Sequence, residues 1–166
     1  ADGIDTKASD VVIFGARVLG VARNGIKLWR GGDVIDSVVD GTGADAALVG
    51  SDGGRYRYLH TLIRHHHDHG AQAYVGTWGY DTRPRDLRLE FVNSMVLRSA
   101  RGGFFVPAGA QVSLRHSVFD DPAARILGFA QGPEYTGDAL ARLEADGHGE
   151  GLLLGDPALR APAEGD

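Results

Sequence analysis

Four of the chain's seven histidines fall within five residues, in the stretch Ile63-Arg64-His65-His66-His67-Asp68-His69-Gly70. Imidazoles beside a carboxylate are the donors that Zn, Cu or Ni prefer. In extended chain successive side chains alternate faces, so His65, His67 and His69 share one side, with Asp68 beside them as the rest of a candidate metal set. The spacing matches no established motif such as HExxH. A solvated polar turn is the competing reading of the same residues.

A second group is rich in arginine. Arg55, Arg57 and Arg88 carry rigid guanidinium forks suited to carboxylates, such as those of a uronic-acid polymer. The segment GTWGYDTRPRD, residues 76–86, adds Trp78, Tyr80 and Arg83, and aromatic rings on loops are apt to stack on sugars. A third group is His60 with Asp36. A carboxylate beside an imidazole raises its pKa and fixes its tautomer, which suits acid/base chemistry. Which of these residues meet depends on the elements that carry them.

Five lines of the sequence align on one another: DVVIFGARVLGVARNGIKLW, GGDVIDSVVDGTGADAALVG, RYRYLHTLIRHHHDHGAQAYV, RLEFVNSMVLRSARGGFFVP and QVSLRHSVFDDPAARILGFA. Each reads as an alternating strand, a bend, a short apolar stretch, a turn and another alternating strand. With Val18, Val39, Ile63, Val96 and Phe119 in register, the anchors lie 21, 24, 33 and 23 residues apart. The one long interval contains the segment 76–86. Two first-strand columns are then largely apolar: Val11, Gly32, Tyr56, Leu89, Val112, and Ile13, Val34, Tyr58, Phe91, Leu114. The third strand aligns Ile26, Ala47, Ala71, Phe104, Leu127, then Leu28, Val49, Ala73, Val106, Phe129. Period-two alternation points these columns inward. A repeat of this length built from strands predicts a solenoid of β-coils.

The bend carries two further files. Position six reads Gly15, Asp36, His60, Asn93, His116, so Asp36 can orient His60 and His116 can donate to Asn93; a purely structural polar ladder is the alternative. Position seven reads Ala16, Ser37, Thr61, Ser94, Ser117. On the outer face of the first strand, Arg55 stacks with Arg88, and Asp33, Arg57 and Glu90 follow one another. A solvated charged strand is the ordinary reading of that face. GDALARLEAD, residues 137–146, predicts a short helix that covers an end of the solenoid.

Composition limits the function classes. The 166 residues include 25 glycines and no cysteine, and the formal charge is −5. Disulfides, thiolate metal sites and thiol nucleophiles are thereby excluded. No basic stripe points to nucleic acid, and no run of 18 apolar residues points to membrane insertion. No signal peptide opens the chain.

DGIDTKASDVVI, NGIKLW and the repeated V-x-I…V…G-I-x-L cadence resemble the right-handed parallel β-helix proteins of the pectate-lyase-like superfamily, of bacterial secreted type. The closing LLLGDPALRAPAEGD resembles the run that follows the last coils in bacterial members. The resemblance implies an all-β, right-handed parallel β-helix of five to six coils over residues 1–130, with a short helix and irregular tail, residues 131–166, packing on or capping it. DGIDTKAS fits the third strand of an earlier coil, so the chain reads as a piece of a longer protein. Secretion, or a cell-surface or periplasmic location, follows from the resemblance.

The activity it implies is a carbohydrate-active module of lyase or hydrolase type on an acidic polysaccharide. His60 or Lys27 would serve as base with Asp36 as its orienting carboxylate, Arg55, Arg57 and Arg88 as carboxylate binders, and Trp78, Tyr80 and Arg83 as the sugar platform. Asp2 and Asp5 resemble acidic pairs that help bind Ca²⁺ in some members, but Asn24 and Lys27 stand where further acids would be needed, so calcium is unsupported. The alternatives are a non-catalytic extracellular glycan-binding or structural module, and a metal-binding protein using the histidine turn.

Overall fold

The computed structural model describes residues 1–43, 48–50, 53–66, 71–73, 86–99, 102–121, 124–155 and 157. The strands are short and recur at the period read from the sequence. They are β1 (Ile4–Phe14), β2 (Arg17–Leu19), β3 (Ile26–Ile35), β4 (Val38–Thr42), β5 (Leu48–Gly50), β6 (Gly54–Leu59), β7 (Leu62–His66), β8 (Ala71–Ala73) and β9 (Leu87–Val92). After them come β10 (Met95–Ser99), β11 (Phe104–Val106), β12 (Gln111–Arg115), β13 (Val118–Phe119), β14 (Arg125–Phe129) and β15 (Glu134–Thr136). A 3₁₀ turn (Gly137–Ala139) leads into α1 (Leu140–Ala145), and β16 (Gly149–Glu150) and β17 (Leu153–Leu154) follow.

Two sheets wind around one core. The smaller runs β17-β13-β10-β7-β4-β2; the larger runs β15-β14-β11-β8-β5-β3-β6-β9-β12-β16, with β1 also on β3. Neighbours are parallel except β14 and β15, which are antiparallel. The architecture is an all-β parallel solenoid of about four turns with one short helix near its C-terminal end. That is slightly fewer turns than five to six, because β1 enters partway through a turn and β16 and β17 complete only part of the last.

The anchor column holds throughout: Val18 pairs with Val39, Val39 with Ile63, Ile63 with Val96, and Val96 with Phe119. All five are buried, in one row with the rest of the core. Val11, Gly32, Tyr56, Leu89 and Val112 are likewise paired in order, as are Ile13, Val34, Tyr58, Phe91 and Leu114. Phe91, Phe104 and Phe119 meet at ring-centroid distances of 4.8, 6.3 and 6.1 Å, within the range of favourable aromatic pairs. Gly32 is required in its column: it has φ +145°, and a Cβ there would lie 2.4 Å from the Val11 carbonyl oxygen.

One column is shifted by a residue. Leu48, not Ala47, pairs with Ile26, and Gly50, not Val49, pairs with Leu28. The second coil carries one residue more between its anchor Val39 and the third strand than its neighbours do. Only burial then decides which residue opens the next strand, and Leu48 is fully buried there.

The bend explains both polar files. Asp36, His60, Asn93 and His116 all have φ +49°, and Gly15 and Gly151 have +65° and +59°. Left-handed backbone favours Gly and tolerates Asn, Asp and His better than branched side chains, so position six is selected for conformation. Position seven closes the hydrogen-bond ladder where the strand pairing breaks. Thr61 N–H donates to Ser94 Oγ at 2.9 Å, Ser94 N–H to Ser117 Oγ at 3.2 Å, and Ala16 N–H to Ser37 Oγ at 3.1 Å. The hydroxyls in turn donate to carbonyls two residues back: Ser37 to Ile35, Ser94 to Val92 and Ser117 to Arg115, each at 2.8 Å. Flanking backbone N–H groups reach the next rung directly, as His60 does to Val92 and Met95 to Thr61.

The C-terminal residues are more regular than a tail. β16 pairs with β12 and β17 with β13, so the coil continues beyond residue 130. The helix covers this end through Leu143, which is fully buried. Gly149 permits the close approach, since a Cβ there would lie 2.2 Å from Leu143 Cδ2. Among the described residues no helix is long and apolar enough to cross a membrane.

Three outcomes test this packing. Ile63→Ala should lower stability in urea unfolding by about 2–5 kcal/mol, because the cavity lies between two rungs. Asn93→Val should cost about 1–2 kcal/mol from left-handed strain alone, while Asn93→Gly leaves stability nearly unchanged. Burial, with a smaller contribution from Tyr56, pushes the Tyr58 phenol up from its ordinary value of 10.0. The folded state therefore holds that proton more tightly; stability is whole below about pH 10 and falls as pH rises beyond it. Circular dichroism should show alkaline unfolding starting there, with a shallower pH dependence in Tyr58→Phe.

Candidate functional site

The outer face of the first strands presents three parallel files. Asp33, Arg57, Glu90 and Ser113 form a polar file by register, and Phe14, Ile35, Leu59 and Val92 an apolar one beside it. At the bend stand Asp36, His60, Asn93 and His116. Alternation along β6 is what turns Arg55, Arg57 and Leu59 outward while Tyr56 and Tyr58 enter the core. Phe14, at the first rung, is 70% exposed.

The arginines of this face are held by carboxylates of the neighbouring rungs. Arg57 makes a two-pronged pair with Asp33, with Nε–H to Oδ1 at 2.7 Å and Nη2 on the other oxygen. That bond, more than the surrounding charge, raises the Arg57 pKa further above its ordinary value. Arg55 gives Nε–H to Glu90 Oε1 at 3.0 Å, and Arg115 lies 4.0 Å from the second Glu90 oxygen. Arg88, one rung from Arg55, turns instead to Asp86 at 3.5 Å. The like charges of Arg55 and Arg88 are thus separated by opposite partners.

The His60–Asp36 pair forms as the sequence suggests, with Nδ1 3.1 Å from Asp36 Oδ1. The other ring nitrogen, Nε2, faces Asn93 Nδ2 at 3.3 Å, so with the proton on Nδ1 it accepts from the amide. His116 differs from expectation: no bond joins it to Asn93, and it lies against Gly151 of the last rung, where a Cβ would come within 2.7 Å of its Nδ1. Both members of the His60–Asp36 pair are about half exposed.

Lys27 does not join them. It sits near the start of β3, one rung from Asp5, whereas Asp36 follows the end of that strand. The length of β3 and its bend at Gly31 and Gly32 lie between Lys27 and Asp36, so Lys27 stands at the opposite end of the strand from the His60 pair. Its ammonium lies over the Trp29 ring, 4.5 Å from the centroid, and Lys7 lies over the same ring at 5.0 Å. The calcium pair is also committed elsewhere: Asp2 Oδ1 accepts from Asn24 Nδ2 at 2.9 Å, and Asp5 Oδ1 from Trp29 Nε1 at 2.6 Å.

The histidine segment starts inside a strand, because β7 runs to His66 and places His65 and His66 before the turn. His67, Asp68 and His69, and likewise Trp78, Tyr80 and Arg83, lie outside the described residues. Among the described residues no group of three or more His, Asp or Glu is arranged to hold a metal ion.

A hollow of about 160 Å³ opens on this face, lined by Asp10, Gly32, Asp33, Arg55 and Arg57. Asp33, Arg55 and Arg57 were expected from the sequence to share this outer face, the two arginines as carboxylate binders. Asp10 was missed: β1 and β3 slip in register between Thr6 and Ser9, and Asp10 takes φ +54° just after that bulge. An aspartate at the junction of two strand repeats was the only signal. Trp29, clamped by Asp5 and the two lysines, was also missed, because it falls between columns.

These features define the class: a parallel β-solenoid with a polar outer face on its first strands. The chain matches no family model, no curated protein and no solved structure.

If Arg57 pairs mainly with Asp33 on a hydrated surface, Arg57→Met should cost no more than about 1 kcal/mol in urea unfolding and leave the circular dichroism spectrum unchanged.

Proposed function

We propose that this chain is a non-catalytic glycan-binding module of the right-handed parallel β-helix type, with the outer face of the first strands as its binding surface. The supporting observation is the pairing of Arg57 with Asp33 and of Arg55 with Glu90. A lyase needs uncommitted cations to hold a uronate and stabilise the enolate, next to a base. Here each of these guanidiniums is already engaged by the protein's own carboxylate. A glycan hydroxyl makes a different demand: fixed donors and acceptors beside an apolar strip. Side chains held by ion pairs on a rigid rung are already ordered, so little freedom is lost on binding. The file Phe14–Ile35–Leu59–Val92 supplies the apolar strip, running along the solenoid axis with one residue per rung.

A second reading, a polysaccharide lyase or hydrolase, is favoured by one observation, the Asp36–His60 pair with its tautomer set for Nε2 to act as base. One experiment separates the two. The protein is incubated with pectate, alginate, glycosaminoglycans and neutral glucans, with and without Ca²⁺, and products are followed by ultraviolet absorbance and reducing ends while binding is followed by affinity electrophoresis. Retarded migration without product is the expected result. Product formation that disappears in His60→Ala and Asp36→Asn would establish the catalytic reading instead.

A further inference from the structure

The hollow on the outer face has an uneven charge distribution. Asp33 is engaged by Arg57 and Glu90 by Arg55. Asp10, on the lip of the same hollow, makes no hydrogen bond or ion pair among the described residues. It is exposed, on left-handed backbone that follows a bulge, so its direction is set by the chain. Asp10 is therefore the lining carboxylate that no guanidinium engages among the described residues. Gly32 also lines the hollow, and a Cβ there would strike the Val11 carbonyl, so the position stays glycine. On the far side, Arg55 and Arg57 each use Nε–H and one Nη nitrogen on their carboxylates. A guanidinium has five N–H groups, so both keep donors for a ligand.

We infer that this hollow is a subsite for a sugar carrying a free amine. The ammonium would sit on Asp10, and the neighbouring hydroxyls would accept from Arg55 and Arg57. The inference rests on the glycan-binding reading and narrows it. A uronate would place its carboxylate beside Asp10 and find both arginines already neutralised. A divalent cation would need Asp33, whose two oxygens are taken by Arg57. A vicinal amino alcohol meets both demands within a volume of about 160 Å³, which suits a single ring.

Binding is measured by calorimetry on short oligomers of glucosamine, their N-acetylated counterparts and a neutral glucan of equal length, at mildly acidic pH. The free-amine oligomer should bind about tenfold more tightly than the other two. Asp10→Asn should abolish that preference while leaving the melting temperature unchanged, because Asn also tolerates left-handed backbone. Equal affinity for the three oligomers, or an undiminished preference in Asp10→Asn, overturns the subsite while leaving the glycan-binding reading in place. No binding to any of them overturns the subsite, and the wider polysaccharide panel then decides the glycan-binding reading.

Discussion

Every turn of this solenoid must change direction without leaving a buried backbone N–H unpaired, because an unsatisfied amide costs as much as a packed side chain contributes. The bend after the first strand solves this with two adjacent residues. One adopts left-handed backbone and sends its N–H to the rung beside it. The next, at Ser37, Ser94 and Ser117, is a buried serine whose hydroxyl accepts the N–H of the neighbouring rung and donates to the carbonyl two residues back. Because each hydroxyl serves two coils, the bends bind the rungs to one another. The regular spacing of everything outside the core follows from that stacking.

The regularity has unequal strictness around the coil. At the bend no residue can be added, since an insertion would break the hydroxyl ladder and flip every inward side chain of the following strand. At the later turn one extra residue is accepted, and the second coil enters its third strand one residue late without loss of burial. The core tolerates this because its columns are defined by register within each strand. Aromatic bulk is placed accordingly, with Tyr56 and Tyr58 on one rung beneath Leu89 and Phe91 on the next.

Outside the core the same stacking brings charges into contact that lie 24 and 35 residues apart in the chain, as Arg57 with Asp33 and Arg55 with Glu90. These pairs sit at the surface and add little to stability. Their effect is on chemistry: they order the guanidiniums, take away their excess charge and leave Asp10 as the lining carboxylate without a guanidinium partner among the described residues. The His60 imidazole is oriented by the same neighbour logic, and its place in the file follows first from the backbone conformation that the bend demands.

Local pattern alone determined the architecture. Alternation assigned the inward columns, and the bend residues, small and hydroxylated beside Gly, Asp, His and Asn, marked where each coil turns. These signals are legible because they are imposed by the backbone of each rung separately. The charged face was legible only as composition. Which carboxylate each arginine takes, that Asp10 meets none of the described arginines, and that Lys27 stands apart from His60 depend on how rungs stack and where β1 bulges against β3. A linear sequence holds no record of distance between residues on different rungs. Tertiary structure alone supplies it, because contact across coils is set by register and not by position along the chain.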